Sequence, residues 1–354
     1  MSTTRPGQTN KQVFKSLDTF RGVAALGVAW AHFMPLPGAH LAVDFFFILS
    51  GFVLSHTYTY RDNQNPIDFV VKRVARLYPL HIFTLFIYLF VWAGMSDNVT
   101  MPGGQYLGAL ILNLALLQNV GFFSGILGWN VPAWSISVEF WVNVVFAFCI
   151  SRKTSSAFLL GTSAVLYGVL AYKFGHLYTE NTNFLVFINS GLTRCVAGFF
   201  LGIICYRVYL KFKDTDIQTV YAVALQLAVL ALIGALFFTR GLEKESWVDF
   251  TLVIPFAALV VIFAAAPSRL NTMIGFGAAL GTISYSIYLN HFAFSRVFYR
   301  VTSRNDLDFT LMLPIYLGVV CIYSAITYRY IELPSKNFIL DWWYGRRKTA
   351  IPQT

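Results

Sequence analysis

Charge is scarce in this chain. Only 12% of its 354 residues are Asp, Glu, Lys or Arg, about half the share found in a water-soluble domain. So little charge cannot coat a surface in water, which excludes a soluble globular protein; the apolar content excludes a disordered one. Acids are the scarcer sign, with 16 Asp and Glu against 26 Lys and Arg and a net charge of +10. In so apolar a chain that excess reads as cytoplasmic loop charge, not as a nucleic-acid face. Cysteine is also sparse. Cys149, Cys195, Cys205 and Cys321 lie inside apolar runs without CxxC spacing, which argues against a disulfide scaffold or thiolate metal site and for buried free thiols. The six histidines (His32, His40, His56, His81, His176, His291) show no metal spacing, so no metal is expected. There is no Gly-rich phosphate loop, no HExxH pair and no GxSxG elbow. The N-terminus, MSTTRPGQTNKQ, is polar and carries no cleavable signal pattern. Chemistry, if present, must rest on side chains dispersed among helices.

What is abundant is apolar. Hydrophobic residues make up 57% of the chain and aromatics 17%. A membrane-crossing helix needs about 20 mostly apolar residues. The pattern predicts an all-α polytopic membrane protein with about ten transmembrane helices, at 17–35, 41–60, 79–95, 132–150, 156–173, 184–206, 218–238, 247–266, 273–293 and 309–330. With the N-terminus in the cytoplasm, 19 of the 26 Lys and Arg fall on the inner side, six outside, and Arg194 inside a span. This bias holds only if the short apolar segment 105–119 does not cross. It is therefore expected to be a re-entrant or short outer helix, a backbone path tolerated where protein buries it. The expectation is one integral domain over 1–354, with polar cytoplasmic tails at 1–15 and 339–354, no internal repeat and no low-complexity linker.

Ionisable residues inside spans are costly and point to function. Arg21 and His32 are eleven residues apart, which puts both on one helix face, roughly 16 Å apart along the axis. They could equally be a snorkelling arginine and an interfacial histidine. Asp44 opens the second span in VDFFFILSGF and needs a partner or a helix N-terminus. The basic stretch 61–78, read as a loop, holds Arg73 and Arg76 three residues apart. Their guanidiniums suit phosphate, although a positive-inside topology signal explains them as well. Glu139 lies in WNVPAWSISVEFWVN beside Trp134, and a lone buried carboxylate should be paired or neutralised. GTISYSIYLNHF supplies Tyr285, Tyr288, Asn290 and His291, polar groups that line a cavity or bond between helices. Glu332 reads as a helix-end charge before Pro334.

Six segments, SLDTFRGVAALGVAWAHF, VDFFFILSGFVLS, FVVKRVARLYPLH, WSISVEFW, SYSIYLNHF and YIELPSKNF, in this order across residues 16–338, resemble the acyltransferase-3 family of polytopic, mostly bacterial membrane acyltransferases. The resemblance implies ten spans in the bacterial inner membrane. It implies transfer of an acyl group, usually acetyl, from cytoplasmic acyl-CoA to a hydroxyl of a saccharide, lipid-linked glycan or other envelope acceptor. Acetyl-CoA would be a substrate, with no permanently bound cofactor. The family pattern places His32 and Glu139 in catalysis and Arg21, Arg73 and Arg76 at the donor; Asp44, Trp134, Tyr285, Asn290 and His291 are further candidates. His32 would act as general base or transient acyl carrier, with Glu139 orienting its ring. Some relatives carry a fused SGNH-type domain. None is seen here, so the chain would complete transfer alone or pass its acyl group to a separate periplasmic protein. A transporter or flippase for an anionic or saccharide substrate is the competing class, although the missing repeat argues mildly against it.

Overall fold

A computed structural model describes residues 14–59, 65–95, 106–121, 128–150, 153–179, 182–185, 188–241, 243 and 245–349. Most of the tail at 1–15, the outer stretch around Ser124, Arg61, and the Ser151–Arg152 pair lie outside them.

The chain is a bundle of α-helices: α1 Lys15–Phe33, α2 Ala42–Leu54, α3 Pro66–Met95, α4 Tyr106–Leu114, α5 Ala133–Cys149, α6 Ser156–Phe174, α7 Ser190–Phe212, α8 Thr219–Arg240, α9 Val248–Ala265, α10 Arg269–Gly275, α11 Ala278–Thr282, α12 Ser284–Arg304, α13 Phe309–Thr327 and α14 Leu333–Thr349. Among the described residues the β structure is one antiparallel ribbon, β1 (Asn183–Leu185) with β2 (Ile188–Asn189). Among the described residues seven helical stretches are long and apolar enough to cross a membrane: Ala39–Tyr58, Pro66–Val91, Ser156–Phe174, Ser190–Phe212, Thr219–Arg240, Val248–Ala265 and Phe309–Arg346. The protein is therefore a helical, multi-pass membrane protein. Helix α5 is apolar but has only 17 residues. α1, with Lys15, Asp18 and Arg21, and α12, with Arg296, Arg300 and Arg304, are more polar and fall outside this set. Length and composition alone thus recover seven spans and not the expected ten.

Several sequence-derived boundaries are corrected. The basic stretch read as a loop is helical from Pro66, so Arg73 and Arg76 ride on α3, continuous with the apolar part. Hydropathy detects the membrane, not the helix that extends beyond it. The span expected at 184–206 begins at Ser190, after the ribbon, where Asn189 caps α7 by accepting a hydrogen bond from the Leu192 amide at 2.7 Å. The stretch expected as one span at 273–293 is α10, α11 and the start of α12, because the chain breaks around Gly275–Gly277 and again at Ile283. The stretch 339–349, in the expected C-terminal tail, is helical as the end of α14. A π-helical turn at Tyr328–Glu332 joins α13 to α14 without a break.

Helix α4 has nine residues, about 13 Å at the α-helical rise, far short of the roughly 30 Å hydrocarbon core. The chain then turns at Leu116, whose φ is +55°. The Leu116 carbonyl accepts from Ser137 Oγ at 2.6 Å and Trp141 Nε1 at 3.0 Å, both well inside α5. Asn119 returns along α5 and accepts from Asn189. Helix α4 thus packs on α3, where the Asn113 carbonyl accepts from His81 Nε2 at 2.8 Å, and the chain after the turn runs beside α5.

Helices α2 and α7 meet backbone to backbone. A Cβ on Gly51 would collide with the Phe199 carbonyl, and one on Gly202 with the Ile48 carbonyl, as small-residue packing in membranes allows. Helices α6 and α8 show apolar side chains such as Val165, Tyr172, Val220 and Phe238 outward, as lipid contact requires. Helices α1, α2, α3, α5 and α12 line one cavity, and α1, α2, α5, α7, α8 and α12 line a second.

Candidate active site

The first cavity, about 150 Å³, is lined by Arg21, Ser50, Arg73, Arg76, Glu139 and Tyr285 among others. Arg21 donates through Nε to Ser284 Oγ at 3.0 Å and through Nη2 to the Gly281 carbonyl at 2.6 Å, and it pairs with Asp18 at 3.2 Å. The lines from α1 to α11 and α12 are therefore set by one guanidinium. Arg73 and Arg76 differ despite their spacing. Arg76 pairs with Glu332, buried in the π turn and also accepting from Ser286 Oγ at 2.8 Å. Its guanidinium lies 5.5 Å from the ring centre of Tyr285, whose hydroxyl donates to the Leu77 carbonyl at 2.6 Å. Arg73 lies over Phe69 at 5.6 Å, and its buried Nε has no hydrogen-bond partner among the described residues. Glu139 accepts from Ser50 Oγ at 2.7 Å.

The second cavity, about 490 Å³, is lined by His32, Trp134, Arg194, Tyr288, Phe292 and Arg296 among others. His32 exposes its surface into this space. Its Nδ1 lies 2.9 Å from the Val28 carbonyl, one turn back. A carbonyl oxygen only accepts, so Nδ1 carries the proton and Nε2 holds the lone pair. That Nε2 has no hydrogen-bond partner among the described residues. His291 stands beside it, with ring centres 4.9 Å apart and His291 Nε2 3.3 Å from His32 Nδ1. His291 Nδ1 faces the Ile287 carbonyl at 3.1 Å, so by the same logic its Nε2 is free to accept from His32 Nδ1–H. Tyr316 ties the two helices together here, its hydroxyl reaching the Ala29 carbonyl at 3.0 Å and the His291 carbonyl at 3.2 Å.

The structure separates residues that the sequence grouped. Glu139 does not orient the His32 ring: it lies in the arginine cavity, bonded to Ser50, and His291 occupies the place expected for it. Asp44 is fully buried and held by Arg194, whose Nη2 reaches Oδ2 at 2.6 Å and whose Nε reaches Oδ1 at 3.2 Å. Arg194 also lies 5.5 Å from the centre of the Trp134 ring. Asn290 lines neither cavity; its Nδ2 donates to Thr327 Oγ1 at 2.8 Å, a bond between α12 and α13. Glu332 was underrated, since it neutralises Arg76. Its only sequence signal is an acid next to apolar Tyr330-Ile331. Among the described residues no cluster of three or more His, Cys, Asp or Glu could hold a metal.

The site is an arginine-lined cavity beside a histidine-lined one, within a multi-pass helical membrane protein. Residues 14–329 match the acyltransferase-3 family model, described as an acyltransferase domain. The chain belongs to that family and is a membrane acyltransferase. It is 35% identical over 190 residues to protein 2 in the picA locus of Rhizobium radiobacter, covering 47% of this chain and 99% of that protein. It is 35% identical over 122 residues to the acyltransferase MdmB of Streptomyces mycarofaciens, covering 34% of this chain and 30% of that protein. The O-acetyltransferase OatA of Staphylococcus aureus is 24% identical over 369 residues, covering 96% of this chain and 60% of OatA. No solved structure gives a significant match.

Proposed function

We propose that the chain transfers an acetyl group from cytoplasmic acetyl-CoA to a hydroxyl of a saccharide or other cell-envelope acceptor. The observation that carries this reading is the pairing of cavities: Arg73 and Arg76 line one, and an accessible, lone-pair-bearing Nε2 of His32 faces the other. Guanidiniums bind phosphate through charge-assisted bonds, which suits the anionic donor. In the transfer the acceptor oxygen bonds the acyl carbon as the carbon–sulfur bond breaks. His32 Nε2 takes the hydroxyl proton and returns it to the departing thiolate. His291 Nε2 accepts from His32 Nδ1–H throughout and steadies the imidazolium formed midway, the role an acid plays in a hydrolase triad. Glu139 sits with the donor arginines, where it holds Ser50 and balances their charge.

The same reading takes α1, α2, α3, α5, α6, α7, α8, α9, α12 and α13 as ten spans of a bacterial inner membrane, with both termini cytoplasmic and α4 re-entrant. The donor enters on the Arg21 side and the acceptor on the His32 side. Purified protein with acetyl-CoA tests the chemistry: CoA release that depends on His32 is expected, and transport of an intact glycan without CoA release would instead favour a flippase. Mass spectrometry of envelope glycans with and without the protein would identify the acceptor. Sidedness is read by thiol labelling after replacement of the native cysteines. Ser303→Cys should react with an impermeant reagent outside intact cells, and Thr215→Cys only after the cells are opened.

A further inference from the structure

Two side chains line both cavities: Val43, in the first turn of α2, and Tyr288, in the second turn of α12. They are the wall between the arginine cavity and the histidine cavity. Tyr288 is latched in place, its hydroxyl 2.7 Å from Ser135 Oγ on α5. The ring of Phe46 stands edge-on against it, with ring centres 5.8 Å apart and planes at 89°. Both wall residues are buried, Val43 5% exposed and Tyr288 5%. An acyl group carried into the arginine cavity therefore meets this wall before it reaches His32.

We infer that Val43 and Tyr288 form a partition that sets the size of the acyl group passed from the donor cavity to His32, with the Tyr288–Ser135 hydrogen bond as its latch. The inference rests on the acyltransferase reading above. It follows from arrangement: on that reading the donor's phosphates and the reacting thioester belong to different cavities, and among the described residues Val43 and Tyr288 alone line both. Tyr288 is a positioning and selecting residue here: its phenol, latched to Ser135 in the closed partition, takes no part in the transfer. Opening exchanges the neutral Tyr288–Ser135 hydrogen bond and moves the ring against Phe46 and His291.

The test uses the purified full chain in detergent, with two readouts: acetyl-CoA binding by calorimetry, and CoA release, with water as acceptor, from acetyl-CoA and butyryl-CoA. Val43→Ala widens the wall and should raise the butyryl-to-acetyl ratio of kcat/KM about tenfold, the scale on which a pocket resolves methylenes. Val43→Phe fills it and should leave the acetyl-CoA Kd within about threefold while cutting CoA release about a hundredfold, the signature of an effect after donor binding. Tyr288→Phe and Ser135→Ala remove the same bond, so the double variant should change release no more than either single one. An unchanged chain-length ratio in Val43→Ala, or full turnover in a folded Val43→Phe, overturns the partition. Should Val43→Phe fail to fold, the Val43→Ala ratio decides alone. Wild-type protein that binds no acetyl-CoA overturns the function reading itself, and the partition with it.

Discussion

Two sets of buried charges sit at different levels of this bundle, and they are built differently. Around Asp44 and Asp249 every carboxylate is answered. Asp44 is gripped by two nitrogens of Arg194, which also donates to the Thr179 and His40 carbonyls. Asp249 accepts from Arg240 Nε at 2.6 Å, His40 Nε2 at 3.0 Å and the Leu177 amide at 3.0 Å. Around Arg73 and Glu139 the charges face an open cavity, and Arg73 Nε is left without a hydrogen-bond partner among the described residues. A saturated network fixes helices, because breaking it strands a charge. An unsaturated one beside a cavity is poised for a ligand. Asp44 and Glu139 look alike in the sequence, as single acids in apolar runs, and only their partners separate them.

Each of the following substitutions bears on that contrast. His32→Ala should lower CoA release about a thousandfold, within the range for a lost general base, with detergent thermal stability unchanged; wild-type turnover in that variant would remove His32 from the chemistry. Arg194→Ala should instead act on stability, costing about 3–5 kcal/mol by leaving Asp44 buried and unpaired. Replacing both partners, as Asp44→Leu with Arg194→Met, should recover much of that loss in thermal unfolding. If Arg194→Ala unfolds no earlier than wild type, the saturated network is not the structural pin described. His291→Ala removes one acceptor for the imidazolium and should slow turnover about ten- to a hundredfold, with the acetyl-CoA Kd unmoved. Arg73→Ala should weaken acetyl-CoA binding about tenfold, and Arg73→Lys should recover part of it, because a lysine restores charge but not the fork. Equal affinity in calorimetry would return Arg73 to a topology signal. Asn290→Leu should be the mildest, below about 1 kcal/mol, the usual worth of an interhelical hydrogen bond in a membrane.

Much of the bundle was legible because lipid imposes length and apolarity on the helices that face it. The stretches that form α2, α6, α8, α9 and α13 stand out for that reason, and so does the short α4. Where protein rather than lipid is the neighbour, the signal fades. The basic half of α3 reads as a loop because its arginines look hydrated, yet Arg73 and Arg76 line a cavity. The α10–α12 stretch was read as one helix because hydropathy does not register breaks at Gly277 and Ile283. The family resemblance is confirmed by the domain match; it pointed to His32, Glu139 and the arginines, with His291 a further polar candidate on α12. It could not pair them. His32 and His291 are 259 positions apart in sequence, and their contact depends on how α1 rotates against α12, a register that no single-helix periodicity carries. The same rotation, on α5, turned Glu139 toward Ser50 and away from His32.

The glycine contact between α2 and α7 bears on how such a partition moves. Gly51 and Gly202 bring their helices together with no side chain between them, so α2 is held close against α7. Val43 rides on that clamped helix and behaves as a fixed jamb. Tyr288 belongs to α12, where the Tyr88 hydroxyl donates to the Leu289 carbonyl at 3.1 Å and accepts from the Ala293 amide at 2.7 Å, occupying the two ends of one helical rung. The door therefore has one leaf. In the proposed partition the Tyr288 ring is thus the part left to turn, with Val43 carried on the helix that Gly51 and Gly202 hold against α7.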